Sequence, residues 1–364
     1  TVFTSDVELL QAGESQKTLL TTPKGVVEGV ITCITPYQFQ FSVPSVKAAL
    51  AATWLREMSD GYVHFDTDLL RRTPGPIYVT ESTLAPVTTA EGNGEVTQKP
   101  FVVGAAAKSG GALPKFTWDD KEPETLRRTP LYDSHKALGA KIIPFAGWEM
   151  PVWYTSVVDE HLACRQAAGL FDVAHMGVYQ AEGPDAAVFL DSVCGNDIAA
   201  LEVGESCYTH FLTPDADVVD DLLVYRRGHE KYLVVVNAAN DDKDWAWLTA
   251  VHHGMVCVDN DHPNARAFGR NVIFRNLRDP KAGADMRVDI ALQGPKSREI
   301  LLALGVSAAD RRRIMALKRT NLCEAVVGGI DLVVSRTGYT GEKMAFELFV
   351  HPDKAVELWD ALMK

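Results

Sequence analysis

Two separated stretches of this 364-residue chain repeat one another in order, and that repetition limits the possible folds more than any single motif does. The stretch from Ser5 to Ser15 and the stretch from Asn196 to Ser206 match at their apolar positions, and both end on Gly-Glu-Ser. Thr18, Thr22 and Pro23 then fall on Thr209, Thr213 and Pro214. After a one-residue gap, Val26 and Val27 fall on Val218 and Val219. After another, Val43, Trp54, Leu55, Gly61, Val63, Asp66 and Asp68 fall on Val236, Trp247, Leu248, Gly254, Val256, Asp259 and Asp261. In this alignment Gly29 falls on Asp221 and Pro44 on Asn237. A duplicated unit implies at least two bodies, and roughly 100–200 residues per domain allows two or three.

Between the copies the character of the sequence changes. Residues 83–128 carry Thr89-Ala90-Glu91-Gly92-Asn93-Gly94, Lys108-Ser109-Gly110-Gly111 and Asp119-Asp120-Lys121-Glu122-Pro123-Glu124. Small and polar residues without apolar periodicity read as a linker. Its middle, Lys99 to Gly104, could dock on a neighbouring domain. The organisation expected is a degenerate partial repeat over 1–82, a Gly/Pro-rich linker over 83–128 and a main domain over 129–364.

In the main domain Pro184 to Cys194 reads as a helix, with Ala187, Leu190 and Cys194 on one face and Gly195 ending it. Lys231 to Asn237 is a β-branched run suited to a buried strand, and Asp289–Leu292 and Leu332–Ser335 read as two more. Asn240 is placed to cap the next helix, where Asp241, Asp242 and Asp244 favour the positive N-terminus and Trp245 and Leu248 share a buried face. His351-Pro352 opens a last helix with Ala355, Val356, Trp359, Leu362 and Met363 on its apolar face. An apolar face with nothing after it suggests a natural protein that continues beyond Lys364. Thr1 fits a start after methionine removal and equally a trimmed fragment.

The formal charge of −12 argues against a general nucleic-acid binder, whose footprint is basic. Arg311-Arg312-Arg313 reads best as a solvated helix face. Cys33, Cys164, Cys194, Cys207, Cys257 and Cys323 show no metal or redox spacing, so reduced thiols in the cytoplasm are expected. No apolar run approaches the ~20 residues of a membrane span, and no basic-then-apolar leader is seen.

Asp220 and Asp221 lie between apolar residues in Val218–Tyr225, and adjacent strand residues point to opposite faces. One acid then faces the interior and needs hydrogen-bond partners or a cation; a turn with a surface ion pair is the plainer reading. His175 could serve as acid, base or ligand, or as a structural histidine. His252-His253 fits a helix end. Ser335 to Glu342 places Gly338 and Gly341 around Tyr339, which suits close approach to a flat ligand or a simple strand–loop connection. Cys207 has no basic neighbour to lower its pKa, so a passive thiol is expected. Neither a Rossmann fingerprint nor a phosphate loop nor a zincin or serine-hydrolase motif is present.

Several segments taken together carry more. They are Thr129–Tyr132, Pro144–Pro151, Gly169–Gly177, Val218–Leu222, Val235–Asn240, Ala291–Pro295 and Ser335–Glu342. In this order the chain from 129 to 364 resembles the aminomethyltransferase family, the T-protein of the glycine cleavage system. The resemblance implies an α+β fold: a folate-binding domain with mixed or antiparallel sheets and packed helices around a central opening. It also implies a C-terminal barrel and an arginine-bearing segment, for which this sequence offers no counterpart. The implied reaction moves a one-carbon unit from aminomethyl-dihydrolipoyl H-protein to tetrahydrofolate and releases ammonia. The implied partners are lipoylated H-protein and folate, with neither nucleic acid nor membrane, and no metal is implied. By motif match Asp221 is the catalytic acid and Asp220 its structural neighbour. Met176, Tyr208, Val235, Asn237, Tyr339 and Glu347 match folate-binding positions. Two alternatives share the pattern: a tetrahydrofolate-dependent demethylase of a small methylated compound, and a non-catalytic folate-binding or scaffolding paralogue. The glycine and proline aligned with Asp221 and Asn237 make the N-terminal copy catalytically silent.

Overall fold

A computed structural model of the chain describes residues 2–5, 7, 10–60, 77–92, 112–121, 123, 125–260 and 271–364. Gly61, Val63, Asp66, Asp68, Asp261 and the Lys99–Gly104 stretch lie outside the described residues. The chain divides into two compact units, Thr1–Phe116 with Trp247–Asn271, and Thr117–Ala246 with Val272–Lys364.

The first unit holds β1 (Ser15–Thr22), β2 (Gly25–Thr35), β3 (Gln38–Ser42) and α1 (Ser45–Ser59). The three strands form an antiparallel meander in sequence order. Ala51, Leu55 and Met58 are buried on one face of α1, and the first two pack with Leu20 and Val27 of the sheet. The following chain is tied along β3, where the Gln40 side chain donates to the Ala85 carbonyl (3.0 Å) and the Ser42 hydroxyl accepts from the Val87 amide (3.1 Å).

The second unit begins with α2 (Tyr132–Ala137), β4 (Lys141–Phe145), β5 (Trp148–Trp153), α3 (Val157–Gln166), β6 (Gly169–Asp172), β7 (Gly177–Glu182) and α4 (Ala186–Val193). It continues through β8 (Ser206–Leu212), β9 (Val218–Gly228), β10 (Lys231–Val236) and the first residues of α5 (Asp241–His252), which from Trp247 on belongs to the first unit. The last elements are β11 (Ile273–Asn276), β12 (Val288–Gln293), α6 (Ser297–Ala303), α7 (Ala308–Ala316), β13 (Leu322–Val327), β14 (Ile330–Ser335), β15 (Ala345–Val350) and α8 (Pro352–Leu362). Two five-stranded antiparallel sheets result, ordered β11-β7-β10-β9-β8 and β13-β14-β15-β12-β6, beside a β4-β5 hairpin.

Strand alternation sorts the second sheet into two layers. Ile290, Leu292, Leu332, Val334, Phe346, Leu348 and Val350 pack with Leu301, Ile314, Leu358 and Trp359 of the helices. Val333 and Phe349 point the other way and meet Leu223, Tyr225, Leu233, Val235 and Val178 of the first sheet. On α8 the buried residues are Ala355, Leu358, Trp359 and Leu362, the i, i+3, i+4, i+7 set, while Val356 and Met363 of the expected face are exposed. On α4 Phe189 and Val193 join Leu190 in the core. Arg311, Arg312 and Arg313 are exposed on α7. No helix among the described residues is long and apolar enough to cross a membrane.

A buried polar network fastens the start of this unit. Thr129 donates to Asp172 (2.6 Å), His135 Nε2 lies 2.8 Å from the same oxygen, and the Ala174 amide donates to the other oxygen (2.9 Å). His135 Nδ1 in turn meets the Tyr154 hydroxyl at 2.8 Å. Asp172→Ala removes the acceptor shared by three groups, so we expect urea unfolding to show a loss of about 3 kcal/mol or more.

The two matched stretches form the same order of elements, β1-β2-β3-α1 and β8-β9-β10-α5. Their ladders start alike, Ser15 opposite Thr32 and Ser206 opposite Tyr225. Leu19 then faces Glu28 as His210 faces Asp221, and Leu20 faces Val27 as Phe211 faces Asp220. The register of β8 and β9 shifts between Phe211 and Leu212, which leaves Val219 as an extra residue; β2 has no such bulge opposite β1. The ladder position of Asp221 is therefore filled by Glu28 and not by Gly29. Gly29 instead allows close packing, because a Cβ there would lie 2.5 Å from the Phe41 ring and 2.6 Å from the Ser42 carbonyl oxygen.

Candidate active site

The candidate site is built on the face that the first sheet of the second unit turns toward the second sheet. Leu223 and Tyr225 of β9 lie in the layer between the sheets, and alternation puts Asp221 on that face and Asp220 on the other. Asp220 is 3% exposed. It accepts from the Asn237 amide (3.0 Å), the Asn237 side chain (3.0 Å) and the Asn240 side chain (2.5 Å). Asn240 thus spends its side chain on Asp220. Asp221 is half-buried and accepts from the Tyr208 hydroxyl (3.0 Å) and Asn237 Nδ2 (3.0 Å). The same Nδ2 also reaches the Asp221 carbonyl (2.9 Å), so one amide holds both acids.

The second sheet contributes a different set. Glu347 on β15 is buried and accepts from Tyr225 (3.1 Å) and from Thr337 by a very short contact. Tyr225 of β9 thereby links the two sheets. Burial raises the Glu347 carboxyl above its usual range, and the Thr337 and Tyr225 hydroxyls oppose that shift. Asp289 of β12, also buried, has neither oxygen in a good hydrogen bond. Burial and then the charge of Glu347 push it well up, eased by the nearby Leu348 and Ile290 amides. These two acids form a buried pair that favours holding a proton or meeting N–H donors.

Tyr339 stands on the loop after β14 and is 68% exposed. Its hydroxyl is raised by desolvation and then by Glu347, Asp221 and Tyr208, which places it among the acids of both sheets. Gln293 holds this loop by accepting from the Thr340 hydroxyl (2.6 Å) and amide (3.1 Å). Gly338 is required by packing: a Cβ there would lie 2.5 Å from the Ala345 Cβ and 2.7 Å from Gln293 Nε2. The close approach expected of this glycine is thus to protein.

Among the motif-matched residues, Asp221, Tyr208 and Asn237 are brought into direct contact. Glu347 and Tyr339 approach from the second sheet, and Val235 is buried in the layer between them. Met176 packs against that layer, and its carbonyl accepts from Arg278 (3.1 Å). Arg278 also bonds Asp241 (3.0 Å) and stacks 4.5 Å over Trp148. Sequence reasoning missed Tyr225, Thr337, Asp289 and Arg278. Tyr225 was reachable, being four residues from Asp221 on one strand face; the others need the pairing of distant strands. His175 is buried, packs its ring 5.7 Å from Phe145, and has its pKa lowered mainly by that burial. The Cys207 thiol is pushed up to about 11 by burial and then by Asp197, which makes it a poor nucleophile. All six cysteines are unpaired.

The arrangement can accept a proton and steady a positive charge at Asp221 while a planar hydrogen-bonding group sits against Glu347 and Tyr339. A family model described as the GCVT N-terminal domain matches residues 131–364. An aminomethyltransferase of Halothermothrix orenii is 41% identical over 239 residues, 66% of this chain and 59% of that protein. One of Symbiobacterium thermophilum is 41% identical over 243 residues, again 66% and 59%. The crystal structure of glycine cleavage system aminomethyltransferase T from Bartonella henselae aligns with a TM-score of 0.54 at 33% identity, covering 66% of this chain and 57% of that one. The chain therefore spans less than two thirds of the length of these relatives.

Proposed function

The chain belongs to the GCVT N-terminal domain family, and on that premise we propose that it carries the tetrahydrofolate-dependent step of aminomethyl transfer. The donor is an aminomethyl group on the dihydrolipoyl arm of H-protein, and the products are 5,10-methylenetetrahydrofolate, ammonia and the free dithiol. The observation that carries this reading is Asp221, held on the inner face by Tyr208 and Asn237. A carboxylate so fixed can accept the N10 proton and stabilise the cationic iminium-like intermediate. Ring closure also needs N10 near the N5-linked carbon, and such positioning supplies up to about 7–11 kcal/mol. Met176, Val235, Tyr339 and Glu347 are read as folate contacts, with Glu347 and its neighbours suited to the N–H edge of the pterin. The unpaired cysteines support a cytoplasmic setting.

Calorimetry with tetrahydrofolate, followed by incubation with aminomethyl-loaded H-protein, tests the proposal. Methylenetetrahydrofolate and ammonia are expected. Formation of 5-methyltetrahydrofolate from methylated donors would replace it with the demethylase reading, and folate binding without turnover would favour a binding paralogue.

The N-terminal meander is read as a degenerate, catalytically silent repeat. Glu28 keeps the acid, but Lys17 and Val27 stand at the ladder positions of Tyr208 and Asp220, and Pro44, just past β3, aligns in sequence with Asn237, just past β10. Pro44 carries no side-chain donor to hold the acid as Asn237 holds Asp221. Glu28→Gln is therefore expected to leave turnover unchanged, and a large loss in a steady-state assay would refute silence.

A further inference from the structure

We propose that Asp244 is a positioning residue: it stays a neutral carboxylic acid, donates an O–H hydrogen bond to Asp220, and so fixes the Asn237 amide against Asp221. The catalytic part of this proposal rests on the reading of Asp221 as the proton acceptor.

Asp244 lies in the first turn of α5 and is 0% exposed. No nitrogen or hydroxyl donor bonds either of its carboxyl oxygens. The neighbour that acts most strongly on it is another acid, Asp220. Two carboxylates buried together cannot both be charged. Asp220 already receives three N–H donors, from the Asn237 amide, Asn237 Nδ2 and Asn240 Nδ2, so the negative charge belongs on Asp220. Asp244 is left to hold the proton, and an O–H aimed at Asp220 satisfies both acids. Burial, then the hydrogen bond and charge of Asp220, push the Asp244 carboxyl up to about 10. Lys243 opposes this shift, while Asp241 adds to it. Asp241 has its own partners, Arg278 (3.0 Å) and the Tyr179 hydroxyl (2.5 Å).

The consequence reaches Asp221 through one amide. Asn237 Nδ2 contacts Asp220 Oδ1 (3.0 Å), the Asp221 carbonyl (2.9 Å) and Asp221 Oδ1 (3.0 Å). An Asp220 that lost the Asp244 O–H would gain rotational freedom and release that amide. The geometry therefore runs in sequence from Asp244 to Asp220, Asn237, Asp221 and Tyr208.

Asparagine at 244 keeps the size, the neutrality and a donor; leucine keeps only the bulk. Infrared spectra of the whole chain at neutral pH are expected to contain a C=O band of an un-ionised acid that disappears in Asp244→Asn. In folate-dependent turnover Asp244→Asn should stay within about threefold of the parent. Asp244→Leu should lose on the order of tenfold or more in kcat with a smaller change in KM for tetrahydrofolate. The Asn variant and the spectrum keep the test open if the Leu variant fails to fold. No loss of an acid band in Asp244→Asn, or an Asn variant as slow as the Leu variant, would overturn the proposal. A parent chain with the band but no folate-dependent turnover would refute the transfer reading and its catalytic consequence, while upholding the proton on Asp244.

Discussion

Asp221→Ala is expected to lower folate-dependent turnover by about 10²- to 10⁴-fold, the range that a positioned proton acceptor contributes. The loss should fall on kcat more than on KM, because on the proposed reading Asp221 acts where positive charge develops while the proposed folate contacts on the second sheet remain. Folding should be little changed. Asp221 is half-buried, and its two donors, Tyr208 and Asn237, each keep another route to satisfaction: Tyr208 is 49% exposed, and Asn237 still bonds Asp220. Circular dichroism and the urea midpoint should therefore match the parent. Parent-like turnover in a folded Asp221→Ala protein would end the assignment of this residue. Asp221→Asn is the finer probe, since it keeps the shape and removes the proton-accepting charge; it should be nearly as slow.

Gly294→Ala is expected to produce the largest stability change, about 3 kcal/mol or more, read from the urea midpoint. Gly294 joins β12 to α6 at φ +128°, a conformation that side chains rarely adopt. A Cβ there would lie 2.5 Å from the Cys164 carbonyl oxygen, 2.7 Å from that of Ala167 and 2.8 Å from the Ala168 Cα. All three are backbone atoms, so no side chain can swing aside. The same corner is tied by Gly294 donating to the Met344 carbonyl (2.9 Å) and Lys296 donating to that of Ala167 (2.9 Å). Gly305→Ala is the matched control: its φ is +92° with nothing within 4 Å of the added Cβ. Only backbone strain of about 1–2 kcal/mol is expected there. Equal losses in the two variants would show that crowding at Gly294 is absent.

The parts of the fold that depend on a single strand were legible in the sequence. The Lys231–Asn237 run became β10, and the division of Asp220 from Asp221 followed from alternation alone. Asp289 was legible as a strand residue and Glu347 only by motif match, and neither as part of a buried pair, because their closeness follows from the register of β12 against β15. Gly338 shows the same limit. Its neighbours in sequence suggest a ligand loop, and only the packing shows that Ala345 and Gln293 occupy the space a side chain would need. The choice of Trp245 for the buried face of α5 failed for a local reason. Trp247, at 1% exposed, shares the core with Leu248, while Trp245 lies partly open against Tyr179, ring centres 5.0 Å apart.

Val219, the extra residue in β9, bears on how the two meanders could be interconverted in the laboratory. The ladder of β2 with β1 runs regularly from Ser15 opposite Thr32 to Thr22 opposite Gly25. A local change of strand length is a different kind of edit from a change of residue type, and no set of point substitutions can imitate it. Grafting the acid arrangement onto the N-terminal meander would therefore have to begin with an insertion after Val26. Conversely, excising Val219 would alter the chain's path into Asp220 without touching either acid.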